Sequence, residues 1–152
     1  MDEYFRLACE ATLAGMDAGT GGPFGATLVD PDGKVVVAVG NTVGRDLDPS
    51  GHAELVAVRE ACRTLGTLDL SGHTMYATCE PCPMCVAVMM LAGITTCHYA
   101  STDADATDGG FPVDHIRDFL AGTRPEAFTL VHEPDGREDC AGIWTSWHEK
   151  TD

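Results

Sequence analysis

The spacing of apolar and polar positions predicts that the chain opens with a helix followed by a strand pair. Apolar residues recur at helical spacing over residues 2–18, and the breaker cluster Gly19–Pro23 ends that helix. Two β-rich runs, 24–30 and 34–40, are separated by Pro31-Asp32-Gly33. Two such runs around a Pro/Gly turn predict a β-hairpin.

Beyond a polar loop (Asn41–Gly51), helical and strand patterns alternate along the chain. Helices are predicted at 52–65, 84–92, 112–120 and 138–150, strands at 74–79, 94–100 and 128–132, and a long acidic loop at 101–110. Strands that alternate with helices indicate βαβ crossovers. The predicted fold class is therefore α/β, a three-layer α/β/α sandwich around a mixed five-stranded sheet. The acidic loop is interpreted as solvated surface or, alternatively, as a lid.

Length and composition indicate a single domain over residues 1–152. Apolar residues make up 44% and charged residues 22% of the chain, which is ordinary globular usage and argues against disorder or a coiled coil. No apolar run approaches the roughly 20 residues that cross a bilayer. The first residues are acidic, where a secretory signal would be basic. We therefore expect a cytoplasmic protein that does not contact membranes.

The charge balance narrows the choice of partner. The chain has 9 Lys and Arg against 24 Asp and Glu, a formal net charge of −15. Proteins that bind a phosphate backbone typically present a basic face. We therefore expect a small-molecule ligand rather than a nucleic acid.

Three of the seven cysteines fall within seven residues, at Cys79, Cys82 and Cys85. In a reducing compartment such a cluster indicates a metal site before it indicates disulfides. The other four cysteines lie in apolar surroundings and are interpreted as small core residues.

His52 and the Cys82/Cys85 pair each stand at the start of a predicted helix. Imidazole and thiolate are ligands that Zn²⁺ prefers, and two cysteines three residues apart at a helix N-terminus can face one ion. Zinc with an open fourth position lowers the pKa of a bound water, and Glu54 is near enough in sequence to His52 to carry protons there. H-x-E followed by P-C-x-x-C is the signature of zinc deaminases. The alternative is a closed, catalytically inert site that Cys79 completes as a fourth ligand.

The sequence resembles the cytidine-deaminase-like superfamily, in its branch of free-base and tRNA deaminases, and within that branch the small bacterial guanine deaminases. The resemblance is carried by 21–26, Asn41, Asp48-Pro49 with His52-Ala53-Glu54, 79–85, Tyr99-Ala100 and the loop that ends in Gly110-Phe111. It implies that His52, Cys82 and Cys85 bind zinc and that Glu54 is the proton shuttle. It also implies that Phe24 stacks on a base, which Asn41 and the backbone of Ala53 contact. A homodimer is implied too, with the tail helix 138–150 either exchanged between subunits or packed on its own chain.

The chain departs from the guanine deaminase pattern beside the expected substrate pocket. Met90-Leu91 replaces a Tyr-Trp pair, and Pro112-Val113 stands where acidic residues follow the Gly-Phe. Guanine presents two donors that require acceptors, and Asp114 or His115 would have to supply them. We expect Asp114 to bind the substrate.

The resulting hypothesis is zinc-dependent hydrolytic deamination of a free amino-substituted nucleobase, with guanine as the first candidate. Another aminopurine, cytosine, a nucleoside, a pterin or a triazine remains open. Two other classes are a tRNA adenosine deaminase, which the acidic composition disfavours, and a zinc-containing module without catalysis.

Overall fold

A computed structural model describes residues 3–151, without the side chains at positions 135, 138, 139 and 151. The chain forms two compact units, residues 1–117 and 118–152. The helices are α1 (Glu3–Asp17), α2 (Val43–Asp46), α3 (Ala53–Leu65), α4 (Pro83–Leu91), α5 (Asp103–Asp108), α6 (Asp114–Leu120) and α7 (Pro134–Thr151), and the strands are β1 (Gly25–Val29), β2 (Val35–Gly40), β3 (Thr74–Cys79) and β4 (Thr96–Ser101). A single 3₁₀ turn at Pro125–Ala127 precedes α7 in the second unit.

The described strands form one mixed sheet in the order β2-β1-β3-β4. β1 pairs antiparallel with β2 and with β3, whereas β3 and β4 are parallel and α4 connects them. The hairpin predicted at 31–33 is present: the Asp30 amide donates to the Lys34 carbonyl at 2.9 Å, and Gly33 has a positive φ of 84°. The α/β class and the mixed sheet are confirmed.

The prediction of a fifth strand at 128–132 is wrong. Those residues are irregular, pair with no described strand, and leave Leu130 80% exposed. β-propensity reflects packing on a half-buried sheet rather than a backbone preference, so an apolar run without a neighbouring strand has no reason to extend.

Two short helices replace parts of the predicted loops. α2 interrupts the loop 41–51, and α5 forms in the acidic loop 101–110. A reciprocal capping box starts α5: the Asp105 amide donates to the Thr102 hydroxyl, and the Asp105 carboxylate accepts from the Thr102 amide. Two backbone N–H groups at the start of the helix thereby gain hydrogen-bond partners. The acidic composition of the segment made this capping motif hard to see in the sequence.

The main core lies between the sheet and the helices α3 and α4. Buried members of this cluster include Leu28 and Met75 from the strands, Ala57 and Val58 from α3, and Met89 from α4. Alternation along a strand directs the neighbouring residues to the opposite face. There α1 approaches so closely that a Cβ at Gly25 would lie 2.1 Å from the Thr12 hydroxyl oxygen.

The tail helix α7 covers Pro134–Thr151 and therefore begins four residues before its predicted start. None of the helices within residues 3–151 combines the length and the apolar character that crossing a bilayer requires.

Candidate metal centre and active site

Two helix N-termini present the predicted metal ligands. His52 is the N-cap of α3, and Cys82 is the N-cap of α4, with extended backbones at ψ 146° and 165°. Pro83 fills the first position of α4, where its missing N–H costs nothing and its fixed φ suits a helix. Cys85 lies one turn further, so its side chain and that of Cys82 face the same point. The positive ends of both helix dipoles favour thiolate at this site.

The three ligand atoms form a nearly equilateral triangle. His52 Nδ1 lies 3.6 Å from Cys82 Sγ and 3.5 Å from Cys85 Sγ, and the two sulfurs are 3.5 Å apart. Zn–S bonds of about 2.3 Å and Zn–N bonds of about 2.0–2.1 Å in a tetrahedron require edges of roughly 3.5–3.8 Å. The residues therefore fit a zinc ion, and they leave the fourth corner without a protein ligand in this cluster.

The charges of these groups are mutually dependent. The Cys85 thiol, and secondly the His52 imidazole, lower the pKa of Cys82 to about 4. The Cys82 thiolate in turn raises the pKa of His52 and that of Cys85. The thiolate that the lowered pKa of Cys82 favours is the form of cysteine that binds a metal ion.

Glu54 lies beside this triangle on the first turn of α3. Its side chain is buried, and burial raises the pKa of its carboxyl above the ordinary value. The residue also lines the cavity that reaches His52 and Cys82. A buried carboxyl beside a metal cradle and open to a ligand cavity suits a proton carrier.

The cavity measures about 420 Å³, which is in the range of small-molecule sites. Phe24 and Phe111 meet edge to face across it, with ring centroids 5.0 Å apart. Besides these rings, His52, Glu54 and Cys82, the wall is lined by Gly19, Gly21, Gly22, Gly25, Asn41, Val43, Gly44, Thr78, Cys79, Glu80, Asp103, Ala106, Pro112 and Val113.

Asn41 is held in the cavity wall by a glycine-rich turn. The Gly22 backbone amide donates to Asn41 Oδ1 at 3.0 Å, and the Asn41 backbone amide donates to the Phe24 carbonyl at 3.0 Å. A Cβ at Gly21 would lie 2.0 Å from the Asn41 carbonyl oxygen, so only glycine permits this approach. With Oδ1 accepting from Gly22, the Nδ2 group is the donor that the Asn41 side chain can offer to a ligand.

An ion-pair cluster holds the loop before His52. The Asp48 carboxylate accepts from the Ser50 amide at 2.8 Å and from the Ser50 hydroxyl at 2.7 Å. Arg59, almost two turns further along α3, donates to the Ser50 hydroxyl at 3.0 Å and pairs with Asp48 at 3.4 Å. The loop that carries Asn41 to His52 is thereby fastened to the ligand helix.

Six of the eight predicted site residues come together here. His52, Cys82 and Cys85 form the triangle, and Phe24, Asn41 and Glu54 lie in the cavity wall. Ala53 and Asp114 do not: among the residues described, Ala53 is fully buried outside the lining, and Asp114 is exposed at the start of α6. Val113, the residue before Asp114, packs against the cluster of Leu55, Cys82 and Cys85.

Cys79 takes a different partner from the one a closed site would need. Its Sγ donates to the Thr102 carbonyl at 3.6 Å and is not one of the three clustered ligand atoms in the described part of the chain. The closed four-ligand alternative is therefore not the arrangement found.

Three lining residues with acidic or aromatic side chains were not predicted as site residues: Glu80, Asp103 and Phe111. Glu80 adjoins the cysteine motif, and Phe111 follows the Gly110 turn, so both carried a local signal. Asp103 carried none, because it lies in a run where every second or third residue is acidic.

The fold and this site define a zinc deaminase domain, and comparison with known families agrees. Residues 1–101 match the cytidine and deoxycytidylate deaminase zinc-binding region. The chain belongs to that family.

Relatives within the family include enzymes for bases and for tRNA. The guanine deaminase of Bacillus subtilis strain 168 is 43% identical over 105 residues, which cover 69% of this chain and 64% of that protein. The tRNA-specific adenosine deaminase of Agrobacterium fabrum is 34% identical over 119 residues, 76% of each chain. The X-ray structure of guanine deaminase from Bacillus subtilis aligns with a TM-score of 0.82 and 31% identity, over 98% of this chain and 95% of that one.

Proposed function

We propose that this protein deaminates a free amino-substituted nucleobase by hydrolysis, with guanine as the first substrate to test. The observation that carries the proposal is the ligand triangle of His52, Cys82 and Cys85 with the buried Glu54 beside it in a ligand-sized cavity. The similarity to a guanine deaminase over most of the chain supports the choice of substrate.

His52, Cys82 and Cys85 would hold the metal. When bound by three protein ligands, zinc supplies a water of lowered pKa in its fourth position. Glu54 is the residue that would move protons: it accepts one from the attacking water and passes it to the ring nitrogen, and it then takes the proton of the added hydroxyl group and passes it to the amino group that departs as ammonia. Its burial suits this role, since the pKa of the carboxyl is raised toward the range where it can both accept and donate.

Asn41 and Phe24 would position the base. The Nδ2 donor of Asn41 requires an acceptor on the ring, and Phe24 offers an aromatic surface beside it. The only carboxylates in the described cavity wall besides Glu54 are Glu80 and Asp103. They, rather than the exposed Asp114, are positioned to accept the N–H donors that guanine presents.

The test is ammonia release from zinc-loaded protein with guanine, adenine, cytosine, guanosine and cytidine as substrates. Guanine should be turned over with the highest kcat/KM. Turnover of another ring with guanine inert would show that the Pro112-Val113 wall selects a different base. No turnover of any ring would overturn the proposal.

A second candidate is deamination of adenosine in tRNA. It is favoured by the 34% identity to a tRNA-specific adenosine deaminase over three quarters of both chains. The net charge of −15 opposes it, because a phosphate backbone is repelled by such a surface. Measuring ammonia release with tRNA as an additional substrate in the same assay separates the two candidates.

We further propose a cytoplasmic homodimer built on a single deaminase domain with three layers. Packing of α1 and α3 on alternate residues of β1 supports the three-layer arrangement.

The homodimer is supported by exposed apolar side chains. Met90 and Leu91 are 71% and 87% exposed on α4, and they form an apolar surface suited to a partner. Trp144 and Trp147 are exposed on α7, so this helix is suited to pack on its own chain or on a second copy. A sedimentation mass of 16.1 kDa would contradict the dimer.

A further inference from the structure

The turn that presents Cys82 is held by a half-buried guanidinium that no catalytic role requires. Arg117, on α6, donates from Nη2 to the Pro81 carbonyl at 3.0 Å. The same nitrogen lies 3.8 Å from Glu80 Oε1, and Nε forms an ion pair with Asp103. Pro81 immediately precedes the metal ligand, so one side chain fixes the backbone from which Cys82 projects.

The same contacts close a loop of chain on itself. Asp103 begins the segment 103–117 and Arg117 ends it, and the two are paired. The Asp103 amide also donates to Glu80 Oε2 at 3.3 Å. Both ends of the segment are therefore attached to the Glu80-Pro81 turn.

Between these ends lies a wall of the ligand cavity. Ala106, Phe111, Pro112 and Val113 all line it. We call the contacts of Arg117 with Pro81, Glu80 and Asp103 the clamp. Val113 is joined to it, because the Val113 carbonyl accepts from the Arg117 backbone amide at 3.3 Å. The Val113 side chain packs against the cluster that contains Cys82 and Cys85. Movement of the clamp would therefore displace the substrate wall and the ligand turn together.

The side chains of this clamp are partly buried, so water screens their ion pairs less than it screens an exposed pair. The side chains of Arg117, Glu80 and Asp103 are 33%, 30% and 21% exposed, whereas the Arg6 pair with Glu10 on α1 is 50% and 57% exposed. Exposed ion pairs contribute little because water screens them. A guanidinium suits the clamp better than an ammonium, since its planar fork can serve a carbonyl and two carboxylates at once.

We propose that Arg117 is a positioning residue that couples the substrate wall to the metal turn through Pro81, Glu80 and Asp103. Its contacts are with the Pro81 carbonyl and with the carboxylates of Glu80 and Asp103, which line the cavity. Arg117 is not itself a lining residue, and it acts by fixing the wall and the turn. The substrate half of this inference rests on the proposed deaminase function, whereas the metal half does not.

The experiment compares Arg117→Gln, Arg117→Lys and Asp103→Asn with the unaltered protein, all loaded with one zinc per chain. The first readout is the rate at which zinc passes to a chelating dye under native conditions, which needs no substrate. Removing a group that orients metal ligands typically costs 10–100-fold in metal affinity or activity, so Arg117→Gln should release zinc about tenfold faster. The zinc-release rate of Arg117→Lys should lie between those of the unaltered protein and Arg117→Gln, because lysine can keep the charge but not every contact. Asp103→Asn keeps the Pro81 contact and should have the smaller effect.

The second readout is the split between KM and kcat for the base that is turned over. Displacement of the wall should raise KM severalfold and lower kcat less. On the zinc-release readout, the Arg117→Gln/Asp103→Asn double variant should be no worse than Arg117→Gln alone, because both changes remove one network. If no base is turned over, the deaminase proposal fails while the zinc-release rates still decide the metal half.

Two controls separate positioning from general stability. Arg6→Gln removes a guanidinium that also pairs with two carboxylates, Glu3 and Glu10, far from the site in the fold, and should leave both readouts within twofold. Leu28→Val lowers stability on a strand that carries no ligand. Zinc release from Arg117→Gln no faster than from Leu28→Val at equal loss of Tm, or a KM unchanged from the unaltered protein, would overturn the proposal.

Discussion

At the residue scale, the chemistry depends on a short local geometry with one buried carboxyl added. Cys82 and Cys85 meet because residues three apart share a helix face, and His52 joins them from the N-cap of the neighbouring helix. Glu54 is two residues from His52, and α3 buries it in the cavity wall. The metal ligands and the proton carrier therefore belong to two helix starts.

Replacing the proton carrier should separate metal binding from turnover. Glu54→Gln keeps the size of the side chain but removes its ability to accept a proton, so we expect kcat to fall by about 10²–10⁴-fold with one zinc still bound. Steady-state kinetics and metal analysis of the same preparation measure both. Glu60→Gln, an exposed position on the same helix, should leave kcat unchanged. A kcat within tenfold of the unaltered protein would show that another group carries the proton.

At the scale of elements, close backbone approaches decide where the site lies. α1 packs on the sheet through Gly25, and the Gly25 amide donates to the Thr78 hydroxyl in the cavity wall at 3.0 Å. Gly21 similarly lets the turn before β1 meet Asn41. Side chains at these positions would force the elements apart.

Gly25→Ala should therefore destabilise the protein by about 1–3 kcal/mol, the range for overpacking a filled interior. The added Cβ would lie 2.1 Å from the Thr12 hydroxyl oxygen and 2.5 Å from the Ala8 carbonyl oxygen. Urea unfolding monitored by circular dichroism gives the free energy. Gly142→Ala, in α7 with open space around it, should instead be neutral or raise stability by up to about 1 kcal/mol. Equal stability of the Gly25→Ala and unaltered proteins would refute the close packing of α1.

At the scale of the whole molecule, the dominant feature is the excess of negative charge. With 24 acidic and 9 basic residues, mutual repulsion destabilises the compact chain at low salt. The described guanidinium groups of Arg6, Arg45, Arg59, Arg117 and Arg124 already face carboxylates. Whether or not they are paired, nine basic residues cannot offset 24 acidic ones.

Salt should consequently stabilise the protein. Raising NaCl from 0.1 M to 1 M shortens the Debye length from about 10 Å to about 3 Å and screens the repulsion. We expect Tm to rise by about 3–6 °C, corresponding to roughly 1–2 kcal/mol for a chain of this size. Differential scanning calorimetry measures it, with sucrose as an uncharged control. A flat or falling Tm would mean that the acidic groups do not repel one another in the folded state.

The sequence by itself determined the elements that depend on near neighbours. The hairpin at 31–33 and the spacing of Cys82 and Cys85 follow from contacts within a few residues, as do α1, α3 and α4, so the local pattern was sufficient. The family resemblance added Phe24 and Asn41, which the structure does bring into the cavity wall.

Only the tertiary structure decided what depends on distant partners. The run 128–132 has strand composition but pairs with no described strand, and Asp114 has the right chemistry but is exposed, whereas its neighbour Val113 packs against the cysteine cluster. Conversely, Asp103 lies in the loop interpreted as solvated surface or a lid, and no role was predicted for Arg117, yet the fold brings both to the turn before Cys82. Burial and pairing between segments tens of residues apart are set by the packing of the whole chain, which no local spacing encodes.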